Sequence, residues 1–193
     1  YQNLMKQMLV SEDENTVCSP INLYIAFGML AETSDGNTRQ QILDMLGAQD
    51  MDTLRKNISS LWKSNYADTP ALKSVLANSL WLDGEETYND TTLQRLAEQY
   101  YASTFRGTPG SKEMDQALQT WTDNNTGGLL KEYTKDMAIA PDTVFELVST
   151  IYYKAMWREN FWEVNTEKET FHGTAGDTDV DMMKKTERMD VYQ

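Results

Sequence analysis

One histidine and one cysteine among 193 residues bound the chemistry this sequence can do. A single imidazole, His172, leaves a His-based triad or a multi-histidine metal site short of members. In "FHG" it reads as a structural hydrogen-bonder rather than a general base. Cys18 stands just before a helix start, where a thiolate would be stabilised. Its apolar neighbour Val17 favours a buried, inert thiol instead, and one cysteine makes no internal disulfide. The stretch "DTDVD", residues 177–181, suggests a calcium loop. The EF-hand pattern, however, needs Gly at its sixth position and Glu at its twelfth, where Met182 and Arg188 stand. It is expected to be a solvated loop.

Gly107, Gly110, Gly127 and Gly128 lack the spacing that cradles phosphate. Neither GxSxG nor HExxH occurs. No pair of carboxylates has an apolar setting that would tune it for acid–base work. Arg55, Lys56 and Lys63 read as a solvated helix face. Asn57, Asn89 and Asn124 each begin an N-x-S/T triplet, which matters only in a glycosylating source. The expectation is a protein that is not an enzyme and carries no metal and no cofactor.

The net charge of −13 lacks the basic face a nucleic-acid binder needs and is read as solubility. No apolar run is long enough to span a bilayer. No charged-then-apolar leader opens the chain, so any signal peptide is expected to have been removed or never to have existed.

The elements that must position these residues follow from the patterning. Leu4, Met5, Met8 and Leu9 have helical spacing. Ser19 followed by Pro20 is a helix start, a hydroxyl cap with proline at the first helical position. From 21 to 30 the apolar residues leave no solvent stripe, so this helix should be buried between layers. Thr38 with Gln41 suggests a capping box for the next helix, which Gly47 closes. A third helix covers about 51–66, with Leu54, Ile58, Leu61 and Trp62 inward. "ALKSVLANSLWLDG" reads as a buried strand. "YNDTTLQRLAEQYYA" is a helix with Leu93, Leu96, Ala97 and Tyr100 inward. "STFRG" is a short strand, and a helix follows that ends near Gly127. "DTVFELVSTIYYKAMW" is a second long strand, apolar on both faces apart from Glu146, Ser149 and Thr150. "KETFHG" and "VDMMKKTERMDVYQ" are strand-like, separated by the acidic loop "TAGDTDVD". Helices first, then helices and strands mixed, indicate an α+β fold.

"NTVCSPINLYIAFGMLAETSDGNTRQQILDMLG" resembles the serpin signature N-V-x-x-S-P-x-S, a small-and-apolar helix, then G-x-T-x-x-Q-I/L. The resemblance continues in register. "VLANSLWLDGE" is similar to the second strand of serpin sheet A, and "LQTWTDNNTGGLL" to I-N-x-W-V-x-x-x-T-x-G-x-I at the end of helix F. "STIYYKAMWRENF" is similar to N-x-x-x-F-K-G-x-W-x-x-x-F, and "TEKETFHG" and "VDMMKKT" to the segments that follow. The chain is identified as a member of the serpin family, its residues 1–193 forming the N-terminal part of one serpin domain.

The resemblance implies the serpin fold, helices packed on a large, mainly antiparallel sheet A, here incomplete. It implies a suicide-type inhibitor of a serine, or a cysteine, protease. A cleaved reactive loop would insert into sheet A and drag the acyl-enzyme with it. A carrier or chaperone-like serpin without inhibitory function is the alternative. Residues 143–153 would border the gap. Ser19, Pro20, Asn22 and Ser149 would lie at the opening point, the shutter. Lys154 and Trp157 would lie where insertion begins, the breach. Asn22 and Ser149 depart from the family, which has Ser and Asn there, and are expected to compensate each other across one contact. The reactive bond and closing strands would lie beyond residue 193. The implied partner is a serine protease, with nucleic acid, membrane and polyanion not expected. Secretion is the family default; the acidic, disulfide-free composition would also suit an intracellular serpin.

Overall fold

The computed structural model describes Lys6 and residues 18–186. The helix expected around Leu4 to Leu9 and the last seven residues of the expected final strand lie outside the rest of this description. Helix α1 (Pro20–Thr33) starts where Ser19 and Pro20 require: the Ser19 hydroxyl accepts from Asn22 N–H, and proline occupies the first turn. No residue from 21 to 34 is exposed, as the all-round apolar pattern demands. Helix α2 (Gly36–Leu46) begins two residues before Thr38. Asp35 is its cap, accepting from Gly36 N–H at 2.8 Å, so the expected capping box is not used. Gly47 closes it in the left-handed conformation. Helix α3 (Met51–Asn65) buries Leu54 and Ile58.

Two short residues, β1 (Ala67–Asp68), lead into β2 (Leu72–Asp83), the centre of a four-stranded mixed sheet. Helix α4 (Asp90–Tyr100) and β3 (Ala102–Gly107) follow, and β3 runs parallel to β2. Ala97 is exposed on α4, against the expectation that it faces inward; Leu96 and Tyr100 are buried with Leu93 packed against the same core, and position 97 falls off their stripe. Helix α5 (Lys112–Asn125) and the short α6 (Lys131–Thr134) precede β4 (Phe145–Ala155). β4 pairs antiparallel with β2 from Leu72↔Ala155 to Leu82↔Phe145. β5 (Thr166–Gly173) and β6 (Gly176–Met183) form a separate hairpin.

The sheet separates two cores. On one face Leu76, Leu80 and Leu82 of β2 pack with Ile25 and Met29 of α1, Leu54 and Ile58 of α3 and Leu96 and Tyr100 of α4. On the other, Trp81 packs with Met114 and Leu118 of α5 and with Ile139. Side chains alternate across a strand, so even-numbered residues of β2 face α1 and odd ones face α5. β2 is therefore buried on both sides, which explains its unbroken apolar run.

One charge lies inside the first core. The Glu32 side chain is 1 % exposed. Its carboxylate takes two bonds from Arg55, both 2.8 Å, and one from the Tyr100 hydroxyl at 3.2 Å, with Arg95 at 3.5 Å. Burial works to raise its pKa, but the Arg55 bonds and charge, with Tyr100 and Arg95, outweigh it, so Glu32 sits below the usual carboxylate range. Burial foremost, and then the Glu32 charge, push the Tyr100 phenol far up.

The acidic stretch 177–181 is strand, not loop. The hairpin turns at residues 174–175, with Gly176 at φ 128°. Each odd-numbered aspartate then faces a partner across β5: Asp181 on Lys168 (3.0 Å), Asp179 on Thr170 (3.1 Å), Asp177 on His172 (2.8 Å). Among the described residues no group of three or more His, Cys, Asp or Glu is placed to hold a metal ion.

Candidate functional site: the free edge of the sheet

β4 gives one edge of its backbone to β2; no strand pairs with the other among the described residues. Alternate N–H and C=O groups along residues 145–155 therefore face outward. An unpaired row of this kind is a template for another strand. The edge is long, regular and uninterrupted by proline.

Helix α1 packs against β4. Ser149 is on the α1 face of β4, between Leu147 and Ile151, which join the α1-side core. Its hydroxyl does not meet Asn22. It donates to Asn78 Oδ1 on β2, its partner in register, at 2.8 Å. Asn22 turns back on its own helix start: Ser19 Oγ donates to Asn22 Oδ1 at 3.1 Å while accepting from Asn22 N–H at 3.3 Å. Asn22 and Ser149 thus have separate partners, and the expected contact between them is not made. The third helical residue is well placed to close a reciprocal cap, and that local bond wins over one across the layer.

Asn78 went unread at the sequence level. It is 2 % exposed, and its amide also donates to the Tyr100 carbonyl at the end of α4, at 2.8 Å. The signal was a lone carboxamide in the middle of a strand buried on both faces, which must find partners for donor and acceptor alike.

Lys154 and Trp157 lie away from Ser149, toward the C-terminal end of the strand; five residues of strand span about 17 Å. Lys154 stands opposite Lys73, whose ammonium is taken by Asp68. Trp157 is two residues beyond β4, 65 % exposed, edge-on to Phe161 with centroids 5.2 Å apart. Tyr153 and Met156 beside it are exposed too, so this end of the edge presents apolar surface. On the opposite, α5 face, Glu146 lies level with Trp81, and burial alone raises its pKa. His172 and Cys18 are remote from one another in sequence, and among the described residues neither joins a group of three or more His, Cys, Asp or Glu placed to hold a metal ion.

The model of the family described as Serpin (serine protease inhibitor) matches residues 2–193. The chain is 28 % identical over 177 residues to Serpin-ZX of Arabidopsis thaliana, covering 88 % of this chain and 45 % of the relative. It is 27 % identical over 190 residues to Antithrombin-III of Homo sapiens, covering 92 % and 40 %. The solved structure of Arabidopsis AtSerpin1 in a native stressed conformation superposes with a TM-score of 0.81 at 26 % identity, over 95 % of this chain and 49 % of that one. The chain thus spans less than half the length of each relative.

Proposed function

The chain belongs to the serpin family, and on that premise we propose that it is the N-terminal part of an inhibitor that traps a serine protease by taking its own cleaved loop into the sheet beside β4. The observation that carries this reading is the β4 edge, unpaired among the described residues, backed by α1 and ending in exposed aromatic surface. An added strand would satisfy the unpaired backbone groups and cover that surface. In this reading Lys154 and Trp157 border the end where the strand enters. Ser19, Pro20, Asn22 and Ser149 underlie the middle, where the sheet must part. A sheet that gains so much from one more strand is held in its starting state by a kinetic barrier.

The working partner is a serine protease. Polyanion binding has little support: Arg55 on α3 is already engaged by Glu32 and Asp52, and the overall charge is −13. No helix among the described residues is long and apolar enough to cross a membrane. Secretion, the family default, is the proposed location.

The test is incubation of the full-length protein with trypsin-, chymotrypsin- and elastase-type serine proteases. A covalent complex that survives denaturing electrophoresis is expected with one of them, and a sharp rise in melting temperature on loop cleavage. Clean cleavage with no complex and no thermal gain would instead favour a carrier or chaperone-like serpin.

A further inference from the structure

A continuous chain of buried and half-buried polar contacts runs from β4 to the outer helices. Ser149 on β4 donates to Asn78 on β2 (2.8 Å), and Asn78 donates to the Tyr100 carbonyl on α4 (2.8 Å). The Tyr100 hydroxyl donates to Glu32 on α1 (3.2 Å), which Arg55 on α3 holds with two bonds. Asn78 sits where this chain crosses the sheet, and it is also the residue at which β2 begins to pair with β3. We propose that Asn78 is a positioning residue that ties β4 to the buried Glu32–Arg55 pair, so that disturbing this pair loosens β4 and changes how readily its edge accepts a strand. The proposal rests on the reading of that edge as the insertion site.

The physical ground is the cost of an unmade bond. A buried polar group that no longer matches its partners, a carboxylate short of donors or a carboxamide set against a guanidinium, draws its neighbours out of place. Tyr100 is the donor whose displacement would be felt at Asn78, because its hydroxyl serves Glu32 while its carbonyl anchors Asn78. Movement of Tyr100 toward Glu32 pulls on Asn78, and Asn78 on Ser149. Spatial continuity alone does not establish coupling, so the test is a cycle.

Amide hydrogen exchange is followed in the full-length protein for β4 and, as reference, for α5. Glu32→Gln is expected to speed exchange of the β4 amides about tenfold, with α5 changed by less than about twofold. In a Ser149→Ala background, which removes only the last hydroxyl, the same substitution is expected to speed β4 by no more than about twofold. Arg55→Lys, which keeps the charge but loses the parallel pair of bonds, should give the same pattern more weakly, and it serves if Glu32→Gln fails to fold. Equal acceleration of β4 in both backgrounds, or acceleration of α5 to the same degree, overturns the proposal. The exchange readout needs no protease. Coupling without a covalent complex would therefore sink the inhibitory reading and leave Asn78 its role, and a complex without coupling would do the reverse.

Discussion

On the α1 side of the sheet the buried polar groups serve one another: Glu32, Arg55, Tyr100, Asn78 and Ser149 form one connected set. On the α5 side the Thr122 and Thr150 hydroxyls are buried with no partner, among the described residues. Thr122 follows Leu118 and Met114 at four-residue steps on the inner stripe of α5, and Thr150 lies on the same β4 face as Val148. The apolar cores differ as well, the one under α1 drawing on four helices and the one under α5 on four buried residues. An orphaned hydroxyl costs about 1–3 kcal/mol, so α5 is held on the sheet more weakly than α1. The sheet has a frame on one side and a looser cover on the other.

The largest expected effect breaks the frame. Arg55→Met would leave the Glu32 carboxylate buried with Arg95 and Tyr100 as its remaining partners, costing about 3–5 kcal/mol of stability. Urea unfolding measures it. If the loss is under about 1 kcal/mol, solvent reaches Glu32 and the contrast between the faces is wrong.

Gly28 tests the same face by packing. A Cβ there would lie 2.1 Å from Ile58 Cδ1 and 3.1 Å from Tyr100 Cε1. Gly28→Ala should therefore cost about 1–3 kcal/mol although alanine is the better helix former. Ile58→Val removes the clashing methyl, so the double variant should recover part of that loss. Strict additivity would show that the crowding lies elsewhere.

Thr122→Val probes the cover. It deletes an orphaned hydroxyl at nearly constant volume and should raise stability by about 1 kcal/mol, seen as a higher urea midpoint. A fall of that size would mean that the hydroxyl has a partner and that the two faces are more alike than they look.

These residues also show what the sequence made legible. The long strands were readable because burial on both faces leaves a continuous apolar run, and α1 because Ser19-Pro20 is a chemical start signal followed by an unbroken apolar surface. Ser149 and Asn22 stood out as departures from the family pattern, but their partners were not readable. Asn78 lies 71 residues from Ser149, and nothing local announces the pairing. Glu32 was missed for the same reason, with Arg55 23 residues away. The acidic stretch 177–181 misled because aspartate is poor in strands on average, whereas here each exposed one is offset by a residue across the hairpin. With separate partners for Asn22 and Ser149, the swap Asn22→Ser with Ser149→Asn should be additive within about 0.5 kcal/mol.

The smallest effect gives the sharpest contrast, because its pH dependence has the opposite sign on the two faces. Glu146, on the α5 side, has its pKa raised by burial, and no cation pairs with it among the described residues. The folded state then prefers the protonated acid. Its stabilising contribution is complete below the ordinary carboxylate pKa of about 4.3 and disappears as pH climbs through the raised folded value. At pH 7 the ionised group is therefore a burden, and Glu146→Gln should increase stability slightly, by at most about 0.5 kcal/mol once solvent screening of this half-buried carboxylate is allowed for. Near pH 4 the urea midpoints of the two proteins should converge. Glu32 behaves the other way: its folded pKa is lowered, so its contribution is present above the ordinary value and fades as pH falls through the folded one. Glu32→Gln should hence be most damaging at pH 7 and least in strong acid. Matching slopes for the two substitutions would mean that the carboxylates share one kind of environment, and the division of the sheet into frame and cover would fail with them.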